Sequence, residues 1–362
     1  MKKIALIGCT GSIGRQTCEV VRRYPEKFCF SAMVAGRDRG GLFRLKEEFS
    51  PALALTAAEV GENAERLFGE CDVALIAAGG FAGLSYTLAA IEAGKNVALA
   101  NKESLVCGGA LVTAAAKRKG VELIPVDSEH SALFQALSFR SDTPFHRLVL
   151  TASGGPFLHK TREELSHVKA ADALKHPTWN MGAKITIDSA TMLNKGYEMI
   201  EARWLYGADF SRIEAVVHPE SIVHSLVYFE DGAAIAQLGY PDMRVPIQLA
   251  LTYPERLPCE RQLDLAQIGA LHFMRLPEEN FPCYTLALQA GKSGGTCPTV
   301  LNAAGEEAVQ CFLKDGISFT QIAETIEWAL NAFPCEQAES YEQLRETDER
   351  VRLAVRNLLY GK

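Results

Sequence analysis

Ile4-Ala5-Leu6-Ile7-Gly8-Cys9-Thr10-Gly11-Ser12-Ile13-Gly14 is the stretch on which the fold turns. A short apolar run closes into glycines spaced G-x-x-G-x-x-G, and a helical pattern opens directly after them. Glycines at a strand-to-helix turn let the backbone turn tightly and approach a pyrophosphate, whose charge is met by amides at the helix N-terminus. The plain alternative is a glycine-rich turn with no ligand. The register of strand, glycines and helix at the start of an alternating pattern favours cofactor binding. Working outward, strands are expected near 3–8, 29–35, 52–55, 72–78, 96–100 and 121–126 with helices between them, the rhythm of a parallel, doubly wound sheet. At the end of the second strand stands Ala35-Gly36-Arg37-Asp38. An acid there bonds a ribose 2'-hydroxyl and an arginine holds a 2'-phosphate. Arg37, followed by Arg39, favours NADP, and Asp38 would alternatively cap the next helix.

The chain has 362 residues, 48% hydrophobic and 22% charged, which suits a folded globular protein and excludes disordered and fibrous classes. A net charge of -7, with no Lys/Arg stripe, gives no footprint for nucleic acid. Ten cysteines are scattered with no C-x-x-C pair and no zinc spacing, so they read as buried thiols in a reducing compartment. The apolar run after Met1-Lys2-Lys3 is too short for a signal peptide, and no window is apolar for long enough to span a membrane. A cytoplasmic location is expected.

Beyond about Arg140 the rhythm changes. Arg147–Ala152 reads as a strand that opens into Ser153-Gly154-Gly155-Pro156, and the polar stretch near 156–183 reads as a mobile lid. Ile185–Ile187 reads as a strand and Ser189 through Tyr206 as one long helix. Strands follow at 213–217, 222–229 and 233–238, the last two joined by a hairpin at Glu230-Asp231-Gly232. Three helical patterns fill 299–314, 318–333 and 338–359. The expected organisation is α/β: a Rossmann-like, NADP-binding parallel sheet over 1–126; an α+β catalytic, metal-binding and dimerisation domain with the lid over 127–252; a linker at 253–282; and a helical domain over 283–362.

Val126-Asp127-Ser128-Glu129-His130 places two acids one residue apart. If the chain stays extended through Ser128, both carboxylates project the same way and repel by roughly 4 kcal/mol at an effective dielectric near 20. A cation would offset that. Solvated acids, or a helix cap, are the ordinary alternatives. The segment Asp188–Glu198 supplies a third acid, with Asn194 and Glu198 four apart on a helix face and Lys195 beside them. Oxygen donors with open positions suit Mg2+ or Mn2+ better than zinc. Ser153-Gly154-Gly155 and Ser189, read as strand ends, would bind a phosphate together with Lys195.

Taken with Asn101-Lys102-Glu103-Ser104-Leu105-Val106, Thr151–Phe157, His176-Pro177-Thr178-Trp179-Asn180-Met181-Gly182, His218–Ser225 and Gly294–Asn302, these motifs resemble the 1-deoxy-D-xylulose 5-phosphate reductoisomerases, in the same order along the chain. The resemblance implies a homodimer that rearranges 1-deoxy-D-xylulose 5-phosphate and reduces the product with NADPH to 2-C-methyl-D-erythritol 4-phosphate. It assigns Asp127, Glu129 and Glu198 to a divalent metal (Mn2+, Mg2+ or Co2+). Lys102, Ser128, Ser153, His176, Ser189, Asn194 and Lys195 would bind substrate, and Trp179 would close over it. Lys102 and His176 join the three acids as the catalytic set. Thr10, Gly11, Ser12, Ile13, Gly36, Arg37, Asp38, Asn101, Glu103 and Gly182 would line the cofactor. Asp38 and Gly305 both stand where the family commonly has Asn. Two other readings use part of the same signals: a simple NADP-dependent sugar-phosphate dehydrogenase, and a non-catalytic dinucleotide-binding sensor.

Overall fold

A computed structural model of the chain describes residues 1–61, 64–138, 142–179, 181–259 and 261–361. Asn180, inside the expected lid, lies outside these residues, as does Lys362 at the end of the expected helical domain. The chain divides into two compact units.

The first unit comprises Met1–Leu105, Gly109–Ser131 and Asp242–Arg261. Its six strands are β1 (Lys2–Ile7), β2 (Phe28–Ala35), β3 (Leu53–Thr56), β4 (Val73–Ile76), β5 (Asn96–Leu99) and β6 (Leu123–Pro125). They form one sheet in the order β3-β2-β1-β4-β5-β6, parallel throughout. Ile4 through Ile7 and Val73 through Ile76 are buried, because helices cover both faces of such a sheet and every side chain of a central strand meets a core. The strand order reverses between β1 and β4, and the crevice outside the carboxyl ends at such a point is where α/β sheets take ligands. Helices α1 (Ser12–Arg23), α2 (Arg39–Phe49), α3 (Ala82–Glu92) and α4 (Glu103–Lys119) make the crossovers.

Residues 242–261, expected to divide between the catalytic domain and a linker, pack in this unit. The helix Arg244–Thr252 lies against α1, β5 and β6, burying Ile247 and Leu251. Lys2 donates from Nζ to Leu251 O at 2.8 Å, and Tyr24 Oη donates to Pro258 O at 2.6 Å.

In the second unit, β7 (Arg147–Ala152), β8 (Ile213–Val217), β9 (Val223–Tyr228), β10 (Ala234–Leu238) and β11 (Met274–Arg275) form a mixed sheet in the order β10-β9-β7-β8-β11. Only the β7 and β8 pair is parallel among its described pairings. The expected hairpin is present, with Phe229 N donating to Ala233 O at 2.9 Å. Under the sheet, Leu148, Leu150, Met199, Tyr206, Phe281 and Tyr284 form a continuous apolar core.

Helix α5 (Ser128–Ala136) precedes this sheet in the chain. The expected strand at 185–187 is helical. Its residues belong to α6 (Ala183–Ala190), which is separated from α7 (Leu193–Tyr206) by a break at Thr191-Met192, with Met192 in the left-handed region at φ 60°. Thr186 escapes its β-preference because its hydroxyl donates to Gly182 O one turn back, at 2.9 Å. Helices at Cys297–Phe312, Phe319–Ala332 and Tyr341–Tyr360 match the expected tail, and a further helix at Pro282–Ser293 precedes them. No helix among the described residues is long and apolar enough to cross a membrane.

Candidate active site

The β1–α1 turn is built by exclusion of side chains. Gly8 adopts φ 92°, and a Cβ there would stand 2.4 Å from Ala77 O; one on Gly14 would stand 2.3 Å from Gly8 O. Helix α1 therefore starts almost on top of the sheet, with Thr10 and Gly11 in the turn and Ser12 and Ile13 as its first residues. Gly11 caps it without a side-chain acceptor, so the first amides of a twelve-residue helix are left for an anion. Arg15 Nη1 donates to Thr10 O at 2.8 Å and closes the turn from the solvent side.

Past β2, Gly36, Arg37 and Asp38 are exposed. The Asp38 carboxylate accepts from Gly41 N at 2.8 Å and caps α2. A Cβ on Gly41 would lie 2.2 Å from the other carboxylate oxygen, so the glycine is part of the cap.

Asn101 and Glu103 lie behind the loop that follows β4. Asn101 Nδ2 donates to Gly80 O at 3.1 Å and to Glu103 Oε2 at 2.7 Å, while Gly80 N donates to Glu103 Oε1 at 3.2 Å. Both side chains brace that loop from beneath.

The two neighbouring acids meet a cation within the first unit. Lys102 Nζ is 2.9 Å from Asp127 Oδ2, in side chains only 8% and 15% exposed. Burial alone would raise the Asp127 pKa, but the ammonium, His130 and hydrogen bonds from Lys102 and Glu129 outweigh it and hold this carboxyl well below the usual range. The chain is not extended here, because α5 begins at Ser128. Glu129 N donates to Asp127 Oδ1 at 3.3 Å, and Ser128 Oγ donates to Glu129 Oε2 at 2.5 Å. His130, fully buried below the acids, was not singled out by sequence.

The second unit gathers the other set around one imidazole. His176 Nδ1 accepts backbone N–H bonds from Thr178 at 3.2 Å and Trp179 at 2.9 Å, which puts the proton on Nε2. Nε2 lies 3.1 Å from both Ser153 Oγ and Ser189 Oγ. Burial pushes this imidazole down to about 4, so it is neutral at ordinary pH. Gly154 and Gly155 take positive φ, and a Cβ on Gly155 would lie 3.1 Å from Ser189 O, so glycine lets the loop approach α6 closely. Ser189 thus sits near the end of a helix rather than of a strand.

On α7, Asn194 Nδ2 donates to Glu198 Oε1 at 2.5 Å, and Lys195 Nζ contacts Glu198 Oε2. Both Lys195 and Glu198 are buried. Lys184 meets Asp188 at 2.7 Å one turn apart on α6, whose N-cap is Gly182. Two residues of the His218–Ser225 stretch seat the 176–179 segment. Ser221 Oγ is 3.4 Å from Thr178 Oγ1, and the His224 ring lies 6.0 Å from that of Trp179. Sequence gave the motif but not this use of it.

Family models described as 1-deoxy-D-xylulose 5-phosphate reductoisomerase match residues 4–68 and 62–109, and models of that enzyme's C-terminal domains match 123–206 and 238–354. The 1-deoxy-D-xylulose 5-phosphate reductoisomerase of Geobacillus sp. (strain WCH70) is 50% identical over 381 residues, spanning 99% of this chain and 100% of that protein. The chain belongs to the 1-deoxy-D-xylulose 5-phosphate reductoisomerase family. The reductoisomerase of Shouchella clausii (strain KSM-K16) is 49% identical over 97% of this chain and 99% of its own length. Among solved structures, a DOX-P reductoisomerase in complex with NADPH, fosmidomycin and magnesium superposes with a TM-score of 0.92 at 36% identity over 100% of both chains. The reductoisomerase from Zymomonas mobilis in complex with NADPH gives 0.89 at 36% identity, again over 100% of both.

Proposed function

We infer that the chain rearranges 1-deoxy-D-xylulose 5-phosphate to a branched aldehyde and reduces it to 2-C-methyl-D-erythritol 4-phosphate. The observation that carries this is identity of 50% along essentially the whole length of a reductoisomerase. NADPH fits the first unit: uncapped amides open α1, a glycine-rich turn precedes it, and Arg37 is exposed beyond β2. When bound it supplies the hydride. A divalent cation fits the oxygen donors Asp127, Glu129 and Glu198, and when bound it supplies Lewis-acid stabilisation of negative charge on the substrate's oxygens.

The chain's own groups do the rest. Lys102 keeps the Asp127 carboxylate ionised in a poorly solvated place and so able to ligate, and Lys195 lies against Glu198. Both ammonium groups are also donors for substrate oxygens. His176 donates from Nε2, and Ser153 and Ser189 offer hydroxyls on either side of it, a neutral cradle for a phosphate. Lys195 and Asn194 add charge and an amide, and Ser128 adds a hydroxyl. Trp179, seated by His224, would close as part of a lid over 156–183 and keep water from the aldehyde.

We also infer a homodimer formed along β10, an edge strand whose Ile235 is 47% exposed. A cytoplasmic location is supported by ten free cysteines. The decisive experiment supplies the straight-chain ketose phosphate with NADPH and Mn2+, follows loss of nicotinamide absorbance and identifies the product's skeleton. A branched polyol phosphate is expected. An unbranched one would leave a simple sugar-phosphate dehydrogenase, and no oxidation of NADPH would leave a dinucleotide-binding sensor.

A further inference from the structure

Two cysteines of the second unit that take no part in the proposed reaction lie at one pinned turn. The turn Gly294-Gly295-Thr296 leads into the helix Cys297–Phe312, and residues 335–336 lie in the connection between the last two helices. Thr296 N donates to Glu336 O at 2.8 Å, Glu336 N donates to Thr296 Oγ1 at 3.0 Å, and the Cys335 thiol donates to Gly294 O at 3.1 Å. Gly295, at φ 53°, takes the close approach: a Cβ there would stand 2.0 Å from Glu336 O and 3.5 Å from Cys335 Sγ. Cys335 is exposed and Cys297 is buried, and the Gly294 carbonyl that accepts from the Cys335 thiol also accepts from Cys297 N at 3.1 Å, so the two residues meet at one carbonyl oxygen. These bonds fix where the Cys335 sulfur stands, against the turn that leads into Cys297. Elsewhere in the chain thiols lie mostly inside apolar cores, where they only fill space.

We propose that Cys335 and Cys297 are a peroxide-reactive pair that closes to a disulfide. Cys335 Sγ attacks one oxygen of hydrogen peroxide, the O–O bond breaks, and the leaving oxygen departs as water, so that sulfur becomes a sulfenic acid. Cys297 then loses its proton and attacks the Cys335 sulfur. An S–S bond forms, the S–O bond breaks and a second water leaves. The two sulfurs have given two electrons, and the peroxide has taken them.

The asymmetry of the pair sets this order. Burial, reinforced by the neighbouring Cys335, pushes the Cys297 thiol up to about 12, and a bond from Ser293 opposes this. Cys297 is therefore inert towards solvent oxidants and acts only once its neighbour carries a leaving group. The bond would tie the turn before Cys297 to the connection after Ala332, closing a long loop among the C-terminal helices.

The test treats the full chain with hydrogen peroxide, blocks remaining thiols and maps peptides without reductant. A single linked Cys297–Cys335 peptide is expected, lighter by two hydrogens and restored by dithiothreitol. The oxidised chain should melt about 4 °C or more above the reduced one, a shift in the range that closure of a loop this long gives. Cys335→Ser, at an exposed position, should melt like the reduced chain, keep its turnover, and show neither link nor shift. Cys259→Ser should keep both. Oxidation of Cys335 to the sulfinic acid with no link, or linkage at equal yield among other cysteines in Cys335→Ser, would overturn the proposal.

Discussion

An ammonium beside each buried carboxylate is the economy of this site at the scale of single residues. Asp127 has Lys102 and Glu198 has Lys195, and each pair occupies a place where a lone charge would cost several kcal/mol. Glu198→Gln keeps the shape of the side chain and removes its charge, so NADPH binding should persist while turnover falls by about 100-fold or more. Fluorescence titration with NADPH, set beside initial rates, checks both halves, and turnover near the parental rate would remove Glu198 from the ligand set. His176 makes a second, independent expectation. Because burial holds it near 4, its imidazole should stay neutral down to that pH, and binding of a substrate phosphate should raise the midpoint. Nitrogen-resolved NMR of labelled histidine reads this directly; a midpoint near 6.5 without substrate would mean a solvated ring. Asp38 shows how far residue-level reading of sequence reaches. Its two readings, ribose ligand or helix cap, differ in which donor the carboxylate meets, and one of its oxygens accepts from the Gly41 amide three residues on. Local spacing gave both options, and the cap is the one that the chain's own backbone supplies.

Among elements, the strands of the first sheet and the helix after the glycine turn were legible because each carries a single unbroken period. The stretch 185–187 was not. Ile185-Thr186-Ile187 has the branched side chains of a strand, but Gly182 caps a helix there and buried Ile187 and Ala190 give it a core face, so tertiary packing overrides propensity. The helix Pro282–Ser293 was hidden by the prolines and leucines that precede it, although Pro282 sits at a first-turn position where proline is welcome. The β1–α1 turn supplies a prediction. Gly8→Ala must hold a Cβ against Ala77 O at φ 92°, a strain of about 1–3 kcal/mol, so urea should unfold the variant earlier and its NADPH affinity should fall. Unchanged values for both would contradict the close packing of that turn. The last helices supply another. Glu307 is buried, which raises its pKa, yet bonds from Arg356 and Arg352 bring it below its ordinary 4.5. A carboxyl with a depressed pKa in the folded state contributes stability that is complete above pH 4.5 and is lost as pH falls through the folded value. Thermal midpoints of Glu307→Gln should therefore lie below the parental ones at neutral pH and converge with them in acid; parallel curves would count against this ion cluster.

For the whole molecule, metal dependence is the property to test. Chelation by EDTA should abolish turnover and leave NADPH binding intact, since the glycine turn of the first unit holds no acid assigned to metal. Restoration by Mn2+ or Mg2+, but not by Ca2+ with its larger shell, is the expected pattern in rate measurements. Membership of the family was legible from the order of its motifs, whereas the way the chain revisits the first unit was not, because no short-range pattern announces a contact made more than two hundred residues away. That revisiting has a consequence for biosynthesis. Helix Arg244–Thr252 covers apolar surface of α1, β5 and β6, so a ribosome must have released the chain beyond Arg261 before the nucleotide-type sheet owns its last wall. Nascent protein halted earlier carries an open greasy flank, and a gene fragment stopping at residue 131 would yield a sticky product that chaperones hold rather than a small soluble module.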